Sequence, residues 1–173
     1  MVSRLKEIKK SQATESIEIR KSTLHGRGVF TIESIKKGET VVEIRGSIIR
    51  LQKFFKTPQK IRDNMFRLSA DEYIDPRGEF GDFQNHSCNP NSRIVKKGKR
   101  LYLEAIKDIK RRSEITFDFS TILAKDDFWV MKCRCKTSRC RKYIKQYPLL
   151  PKPLLEKYIE EKMIPSYILK IQW

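Results

Sequence analysis

The sequence contains only two histidines, four cysteines and no long hydrophobic run. No apolar stretch approaches the roughly 20 residues that a transmembrane helix requires, which argues against a membrane protein. The N-terminal stretch MVSRLKEIKKSQ is charged almost throughout, so it lacks the apolar middle of a secretory signal. We therefore expect a protein of the cytosol, or of the nucleus if the organism is a eukaryote, with no membrane partner.

Acidic residues are also scarce relative to basic ones. Lys and Arg total 38, against 21 Asp and Glu, which gives a formal net charge of +17. This excess favours acidic or nucleic-acid-associated partners, although a solvated basic surface would also produce it. Because the chain has no basic–aromatic repeat and no recognition-helix pattern, a zinc-stabilised nucleic-acid-binding module is the weaker hypothesis.

Short β-like segments dominate the chain. They include IEIRKS, VFTI, TVVEI, SRIVKKG and KRLYLEAI, separated by turn sequences such as HGRG and KKGK. The window 53–70 is mixed and is expected to be helical in part. A helix is predicted over 153–164, with Pro153 in its first turn and Pro165 at its end. The apolar face of that helix, which could pack on the chain's own core or on a partner, comprises Leu154, Leu155, Tyr158, Ile159 and Met163.

These patterns divide the chain into four segments. A polar lead covers residues 1–16, a β domain covers 17–125, a cysteine-rich knuckle covers 126–145 and a helical tail covers 146–173. The predicted fold class is therefore mostly β, with a small metal knuckle and a C-terminal helix.

The cysteines have the spacing of a metal site. In a reducing compartment disulfides are disfavoured, so Cys133-x-Cys135-x4-Cys140 is better interpreted as zinc ligands than as free or redox-active thiols. Structural zinc takes four ligands, usually thiolate or imidazole, so one is missing. The remaining candidate donors are Cys88, His25 and His86. Cys88 is the best of them, because it would use all four cysteines in one site. The seven basic residues between positions 131 and 145 would stabilise the thiolates.

Four motifs occur in an order that resembles a known family. HGRGVF, QNHSCNPNS, EITFDF and CRC-x4-C follow one another as in the SET-domain protein methyltransferases with a post-SET zinc knuckle, over roughly residues 17–145. The compact microbial members look most similar. The resemblance implies a β-clip fold of small curved sheets with a C-terminal pseudoknot. It also implies one zinc ion held by Cys88 together with the three late cysteines.

The resemblance implies S-adenosylmethionine as the cofactor. The positions that match the family's cofactor contacts are Gly26, Arg27, Gly28, Asn85, His86, Trp129 and Arg134. A Gly-x-Gly turn permits close approach of a ligand and tolerates positive φ, although the HGRG turn alone would be read as an ordinary hairpin. Asn85 and His86 offer polar groups to a carboxylate and to an adenine edge.

The resemblance further implies methyl transfer to a lysine side chain. The catalytic positions that it indicates are Phe117, Phe119, Asn85 and His86. Alignment of amine and methyl can lower the barrier by roughly 7–11 kcal/mol, and a narrow apolar channel favours the neutral amine. Candidate walls of such a channel, each of which could equally belong to the core, are Phe83, Phe117, Phe119, Phe128 and Trp129.

Two positions depart from the family pattern. Many relatives have tyrosine where this chain has Phe119, and a second tyrosine is often found where it has Ile44. The chain is therefore either an active enzyme, slowed by the loss of these hydroxyls, or a pseudoenzyme that keeps the cofactor pocket without turnover. Phe117 suggests room for more than one methyl group. A reader of methylated lysine is a third hypothesis.

The expected substrate is a basic, lysine-bearing protein associated with chromatin or the ribosome. We expect its approach to be lined by an acidic segment that comprises Asp71, Glu72, Asp75, Glu79 and Asp82. Solvated loop charge would explain the same residues. The basic post-SET region is expected to contact nucleic acid bound to the substrate.

Overall fold

The computed structural model describes residues 16–171. The predicted polar lead lies outside the described residues, except for Ser16. The strands are β1 (Ile17–Lys21), β2 (Arg27–Thr31), β3 (Thr40–Ile44), β4 (Ser47–Arg50), β5 (Phe66–Arg67), β6 (Glu72–Asp75), β7 (Asn85–His86), β8 (Ser92–Lys97), β9 (Arg100–Ala105), β10 (Thr116–Phe117), β11 (Met131–Lys132) and β12 (Tyr143–Ile144). The helices are α1 (Leu51–Lys56), α2 (Gln59–Arg62), α3 (Lys152–Glu160) and α4 (Ser166–Leu169). The predicted mostly β fold is confirmed.

The strands form small sheets rather than one large one. β3, β9 and β8 make an antiparallel sheet, β4, β6 and β5 make a second, and β1 pairs with β2. In β9 the buried residues Leu101, Leu103 and Ala105 alternate with more exposed ones, so one face of the sheet lies on the core. The KKGK turn joins β8 to β9 as predicted, with Gly98 at a φ of 59°.

The mixed window 53–70 contains two short helices, α1 and α2, before β5. Both pack near β6, where the rings of Phe54 and Tyr73 stack with centroids 3.8 Å apart. This helical segment forms one side of the cavity described below. Short 3₁₀ helices cover Phe80–Phe83, Phe119–Ile122 and Tyr147–Leu149.

The C-terminal segment belongs to the main core. Tyr158 and Ile168 are buried in the same cluster as Val29 and Leu103 from the sheets. The helix therefore packs on the chain's own core, which settles the alternative that the sequence leaves open. No helix within residues 16–171 is long and apolar enough to cross a membrane.

Helix α3 is shorter than predicted. Pro153 lies in its first turn as expected, but the helix ends at Glu160 instead of position 164. It ends there because Lys162 has a φ of 54° and the Met163 amide donates to the Tyr158 carbonyl at 2.8 Å, which closes the last turn. Ile159, which we expected on the buried face, is 47% exposed.

The turn between β3 and β4 depends on Gly46. Its φ of 155° is one that side chains rarely adopt, and a Cβ there would lie 2.1 Å from the Asp75 carbonyl oxygen. We expect Gly46→Ala to lower the free energy of unfolding by about 3 kcal/mol or more, through strain and overlap together. Urea denaturation measures this loss. Gly98→Ala is the control, because Gly98 has positive φ but open space around it, and about 1 kcal/mol is expected. Equal losses in the two variants would contradict the role of the Asp75 contact.

Candidate active site and metal centre

The motifs QNHSC and EITFDF meet where β7 and β10 lie side by side. The two strands pair in parallel, with Asn85 opposite Thr116 and His86 opposite Phe117. The Ser87 amide continues the ladder by donating to the Phe117 carbonyl at 3.1 Å. Segments about thirty residues apart in the sequence are thereby fixed in one register.

Asn85 fixes the Gly-x-Gly turn through its side chain. Its Nδ2 donates to the carbonyl oxygens of His25 at 3.2 Å and Arg27 at 3.0 Å, and to Glu114 Oε1 at 2.7 Å. Gly26, between these two carbonyls, has a φ of 50° and open space where a side chain would start. The side chain of Asn85 thus shapes the turn and holds its backbone in place.

Gly28 is required for a different reason from Gly26. A Cβ on Gly28 would lie 2.1 Å from Glu114 Oε1, so the residue is small to admit a carboxylate rather than a ligand. Ser22 Oγ donates to the same carboxylate, at 2.8 and 2.9 Å from its two oxygens. Glu114, the first residue of the EITFDF motif, therefore connects Ser22, which follows β1, with Asn85 of β7, and it lies against Gly28 of β2.

His86 is buried between the aromatic residues and the cysteines. Its Nδ1 accepts a hydrogen bond from the Phe119 amide at 3.1 Å, and its Nε2 lies 3.3 Å from Cys88 Sγ. Burial lowers the pKa of His86 to about 4, although the charge of Asp118 opposes this shift. The ring is therefore neutral at pH 7. Because Nδ1 accepts, the proton is on Nε2, which donates to the sulfur.

Three of the four cysteines lie together with His86. The donor atoms of His86, Cys88, Cys133 and Cys135 all lie within 4.8 Å of one another, and the sulfurs of Cys88 and Cys133 are 3.7 Å apart. Cys140 is half-buried and packs against this cluster. Thiol and imidazole groups at this separation have the donor chemistry of a tetrahedral zinc site, so the residues fit the metal.

A buried carboxylate joins the cysteine cluster to the rest of the fold. Asp118 Oδ1 accepts from Arg141 Nη2 at 2.7 Å, and its Oδ2 accepts from the Tyr158 hydroxyl at 3.0 Å. Arg141 lies directly after Cys140, and its backbone amide donates to Cys88 Sγ at 3.4 Å. Asp118 thus ties the knuckle and α3 to the end of β10.

An aromatic cavity of about 360 Å³ is lined by Phe117 and Phe119. The ring centroids of these two residues are 4.8 Å apart, and Phe66 stacks on Phe117 at 5.7 Å. Trp129 closes the opposite edge, with its Nε1 donating to Asp63 Oδ1 at 2.5 Å. Helix α2 and the segment after position 125 are thereby connected across the opening.

One wall of the cavity is charged. Arg67 is 2% exposed, and its guanidinium binds Asp126 Oδ1 at 2.5 Å and Asp127 Oδ2 at 3.1 Å. The Tyr73 hydroxyl donates to Asp127 Oδ1 at 3.1 Å. Burial raises the pKa of Asp127, although the charge of Arg67 opposes this shift. The pair holds the segment 124–129 against β5 and β6.

Comparison with known proteins agrees with this geometry. A family model described as SET domain matches residues 26–120. This chain belongs to the SET-domain family.

The SET domain has curated relatives that are much longer than this chain. It is 32% identical to a human protein named histone-lysine N-methyltransferase 2B over 83% of this chain and 6% of the relative. It is 33% identical to the H3 lysine-4 specific histone-lysine N-methyltransferase of Schizosaccharomyces pombe, over 71% of this chain and 14% of the relative. A putative histone-lysine N-methyltransferase 1 of Plasmodium falciparum is 35% identical over 70% of this chain and 2% of its own length.

Several residues predicted for the site lie elsewhere in this SET domain. Phe83 does not line the aromatic cavity; its ring lies 4.7 Å below the Arg27 guanidinium. Ile44 is buried in the core, opposite Leu101 in the sheet, and does not line the cavity either.

Trp129 lines the aromatic cavity, and Arg134 is exposed on the knuckle. The other proposed walls, Phe117, Phe119 and Phe128, do line the cavity, with Phe128 79% exposed at its rim.

The predicted acidic segment does not line the cavity. Asp75 is buried and pairs with Arg77 at 2.7 Å, and Asp82 accepts from Asn64 at 3.1 Å. The acidic residues that do line it are Asp63, Asp126 and Asp127. Asp63 directly follows α2, and Asp126 and Asp127 precede the cysteines of the knuckle; no motif in the sequence marks any of the three.

We expect Arg67→Met to lower the free energy of unfolding by about 3–5 kcal/mol at pH 7, because it leaves Asp127 buried without its cation. A buried acid whose pKa is raised favours the protonated form, so the loss should shrink as the pH falls towards 4. Urea denaturation at several pH values measures both effects. Arg93→Met serves as a control, since Arg93 is partly exposed both in its ion pair with Glu104 and in its bonds to the Glu161 and Lys162 carbonyls, and a smaller loss is expected. A loss for Arg67→Met that is independent of pH would contradict this account of Asp127.

Proposed function

We propose that this SET domain is an S-adenosylmethionine-dependent protein-lysine methyltransferase. The observation that supports this most strongly is the position of β7 between two different environments. On one side Asn85 holds the Gly-x-Gly turn, and on the other the rings of Phe117 and Phe119 line a cavity. A two-substrate reaction needs such an arrangement, with donor and acceptor on either side of a thin partition.

The cofactor would be held at the turn. The exposed backbone at Gly26 and Arg27 offers peptide groups, and Gly26 leaves open space beside them. Gly28, Asn85 and His86 complete the proposed site. Asn85 fixes the turn, and Gly28 leaves room for the Glu114 carboxylate beside it. The cofactor supplies a methyl group on a positively charged sulfur. Trp129 and Arg134 remain proposed cofactor contacts. The knuckle reaches the turn through Lys136, whose Nζ donates to the Thr23 carbonyl at 2.7 Å.

The acceptor lysine would enter the aromatic cavity. Apolar rings withdraw the ammonium from water, which lowers its pKa and favours the neutral amine that can attack. Aromatic faces also attract the methylated ammonium product. Phe117 and Phe119 would act as positioning walls at the inner end, in the catalytic role predicted for them, and Asp63 and Asp126 would attract a basic peptide at the rim.

The zinc ligands that we propose are Cys88, Cys133, Cys135 and Cys140. His86 lies close enough to compete with Cys140, but the Phe119 amide occupies Nδ1, which leaves the proton on Nε2. A protonated nitrogen cannot coordinate, whereas it can donate to a metal-bound thiolate and orient it. His86 therefore supports Cys88 from outside the ligand set.

A histone is the proposed substrate, because the relatives are named histone-lysine methyltransferases. The +17 net charge is consistent with action at a nucleic-acid-bound protein, and contact of the knuckle with nucleic acid stays a prediction. The division into a SET domain at 17–125, a post-SET knuckle at 126–145 and a tail at 146–173 is proposed on the same basis, with the tail sharing the SET core. Residence in the nucleus or cytosol likewise stays a prediction.

The ligand set can be tested by metal analysis. We expect one zinc ion per purified chain, loss of it in Cys140→Ser, and retention in His86→Gln with affinity lowered by at most about tenfold. Native mass spectrometry and titration with a chelator measure stoichiometry and affinity. The reverse pattern, with zinc kept in Cys140→Ser and lost in His86→Gln, would identify the histidine as the fourth ligand.

Methyl transfer can be tested with labelled cofactor and recombinant histone H3. The parent chain should label a lysine, and Phe119→Tyr should raise the rate by up to about tenfold, because the new hydroxyl can orient the amine. Phe30→Tyr is the control, since Phe30 packs under Arg20 away from the cavity. If neither the parent nor Phe119→Tyr labels any lysine-rich protein, the enzyme hypothesis fails. Calorimetry with the cofactor would then identify a binding pseudoenzyme.

A further inference from the structure

Gln84 is a buried polar residue whose side chain has no partner. It is 7% exposed, and within residues 16–171 both its Oε1 and its Nε2 lie buried without a hydrogen bond. Burying an amide in this way destabilises a fold, because the amide loses its bonds to water and gains none. A glutamine therefore occupies this position at a cost that the fold itself does not explain.

The side chain of Gln84 belongs to the aromatic cavity. Gln84 lines it together with Phe66, Phe117 and Phe119. The residue directly precedes β7, and successive side chains of extended backbone point to opposite sides. Asn85 points to the Gly-x-Gly turn, so Gln84 leaves the backbone on the opposite side, where it lines the cavity. Its two amide atoms are covered in this conformation, so a rotation about the terminal side-chain bonds is needed to present Oε1 to a group in the cavity.

The rings at the inner end of the cavity offer no hydrogen-bond acceptor. Phe117 and Phe119 carry no hydroxyl, and the Tyr73 hydroxyl belongs to the charged wall, where it donates to Asp127. The charged groups of Arg67, Asp126 and Asp127 bind one another. The carboxamide of Gln84 is thus an uncommitted acceptor beside the two phenylalanines.

We propose that Gln84 Oε1 accepts a hydrogen bond from the ε-amine of the acceptor lysine, and so orients its lone pair and limits how many methyl groups are added. This inference rests on the proposed lysine methyltransferase function. The acceptor releases a proton to solvent and becomes a neutral amine. Its lone pair then forms the new N–C bond as the C–S bond breaks, with the bonding pair going to sulfur and the positive charge passing to nitrogen.

The number of N–H groups on the acceptor sets the expected product. A neutral lysine has two and a monomethyl-lysine has one, so each can bond to Gln84 while its lone pair faces the methyl group. A dimethyl-lysine has none, and binding it would leave the carboxamide buried and unpartnered. The wild-type chain should therefore stop at dimethyl-lysine.

The test compares the full chain with Gln84→Leu, using histone H3 and a synthetic H3 peptide carrying unmodified or dimethylated lysine at the labelled position. Gln84→Leu should lower kcat on unmodified lysine about tenfold, the effect of one hydrogen bond, with KM nearly unchanged. It should raise the proportion of trimethyl-lysine, because leucine accepts an apolar amine. Its Tm should be equal to or above that of the parent, since an unpartnered amide is removed.

The control variant is Gln146→Leu. Gln146 is half-buried, donates to the Asp127 carbonyl and does not line the cavity, so this variant should lower Tm without changing the ratio of di- to trimethyl-lysine. Unchanged kcat and product ratio in Gln84→Leu would overturn the inference and leave the proposed function standing. A fall in Tm with a parallel fall in all rates would also overturn it, because Gln84 would then be structural. No transfer by the parent would refute the proposed function itself.

Discussion

A single buried carboxylate connects the parts of the molecule that build the candidate site. Asp118 follows β10 and binds Arg141 of the knuckle and Tyr158 of α3. A buried ion pair is stable only while its partners are all in place, because a lone charge in the interior is strongly unfavourable. The knuckle, the C-terminal helix and the EITFDF strand are therefore expected to order together. A metal ion held by the cysteines would reinforce the same connection, since metal binding of this kind contributes directly to folding.

The parts of the site that could be predicted are those whose chemistry demands a residue type at a fixed spacing. The spacing of Cys133, Cys135 and Cys140 predicts a metal site, because few other uses of closely spaced cysteines fit a reducing compartment, and the donor atoms of Cys88, Cys133 and Cys135 lie together. The β8–β9 hairpin was likewise predictable, because alternation and a glycine turn are local signals. Both depend on residues close in sequence or on rare residue types.

The charged wall could not be predicted in the same way. The three residues are of common types, and Arg67 lies about sixty positions before Asp126 and Asp127. Only the three-dimensional packing gives them a shared role. The acidic segment around Asp75 looked more significant because its acids are consecutive, yet Asp75 is buried by its own local ion pair. For Phe83 the sequence leaves cavity wall and core open, for a related reason. Aromatic residues near a motif give no indication of which side of the backbone they occupy, and this one lies under Arg27.

Three consecutive residues at β7 serve three different environments. Gln84 lines the aromatic cavity, Asn85 binds the Gly-x-Gly turn, and His86 lies against Cys88. Extended backbone sends Asn85 to the side opposite Gln84 and His86, and these two, which are two positions apart, reach different groups on their shared side. The same geometry means that the environments of these three residues cannot change independently of one another. A shift of the strand by one residue would exchange all three environments at once, and the parallel pairing with Thr116 and Phe117 is what prevents it. The register of a two-residue ladder therefore determines whether the proposed donor site, acceptor cavity and metal centre can exist together.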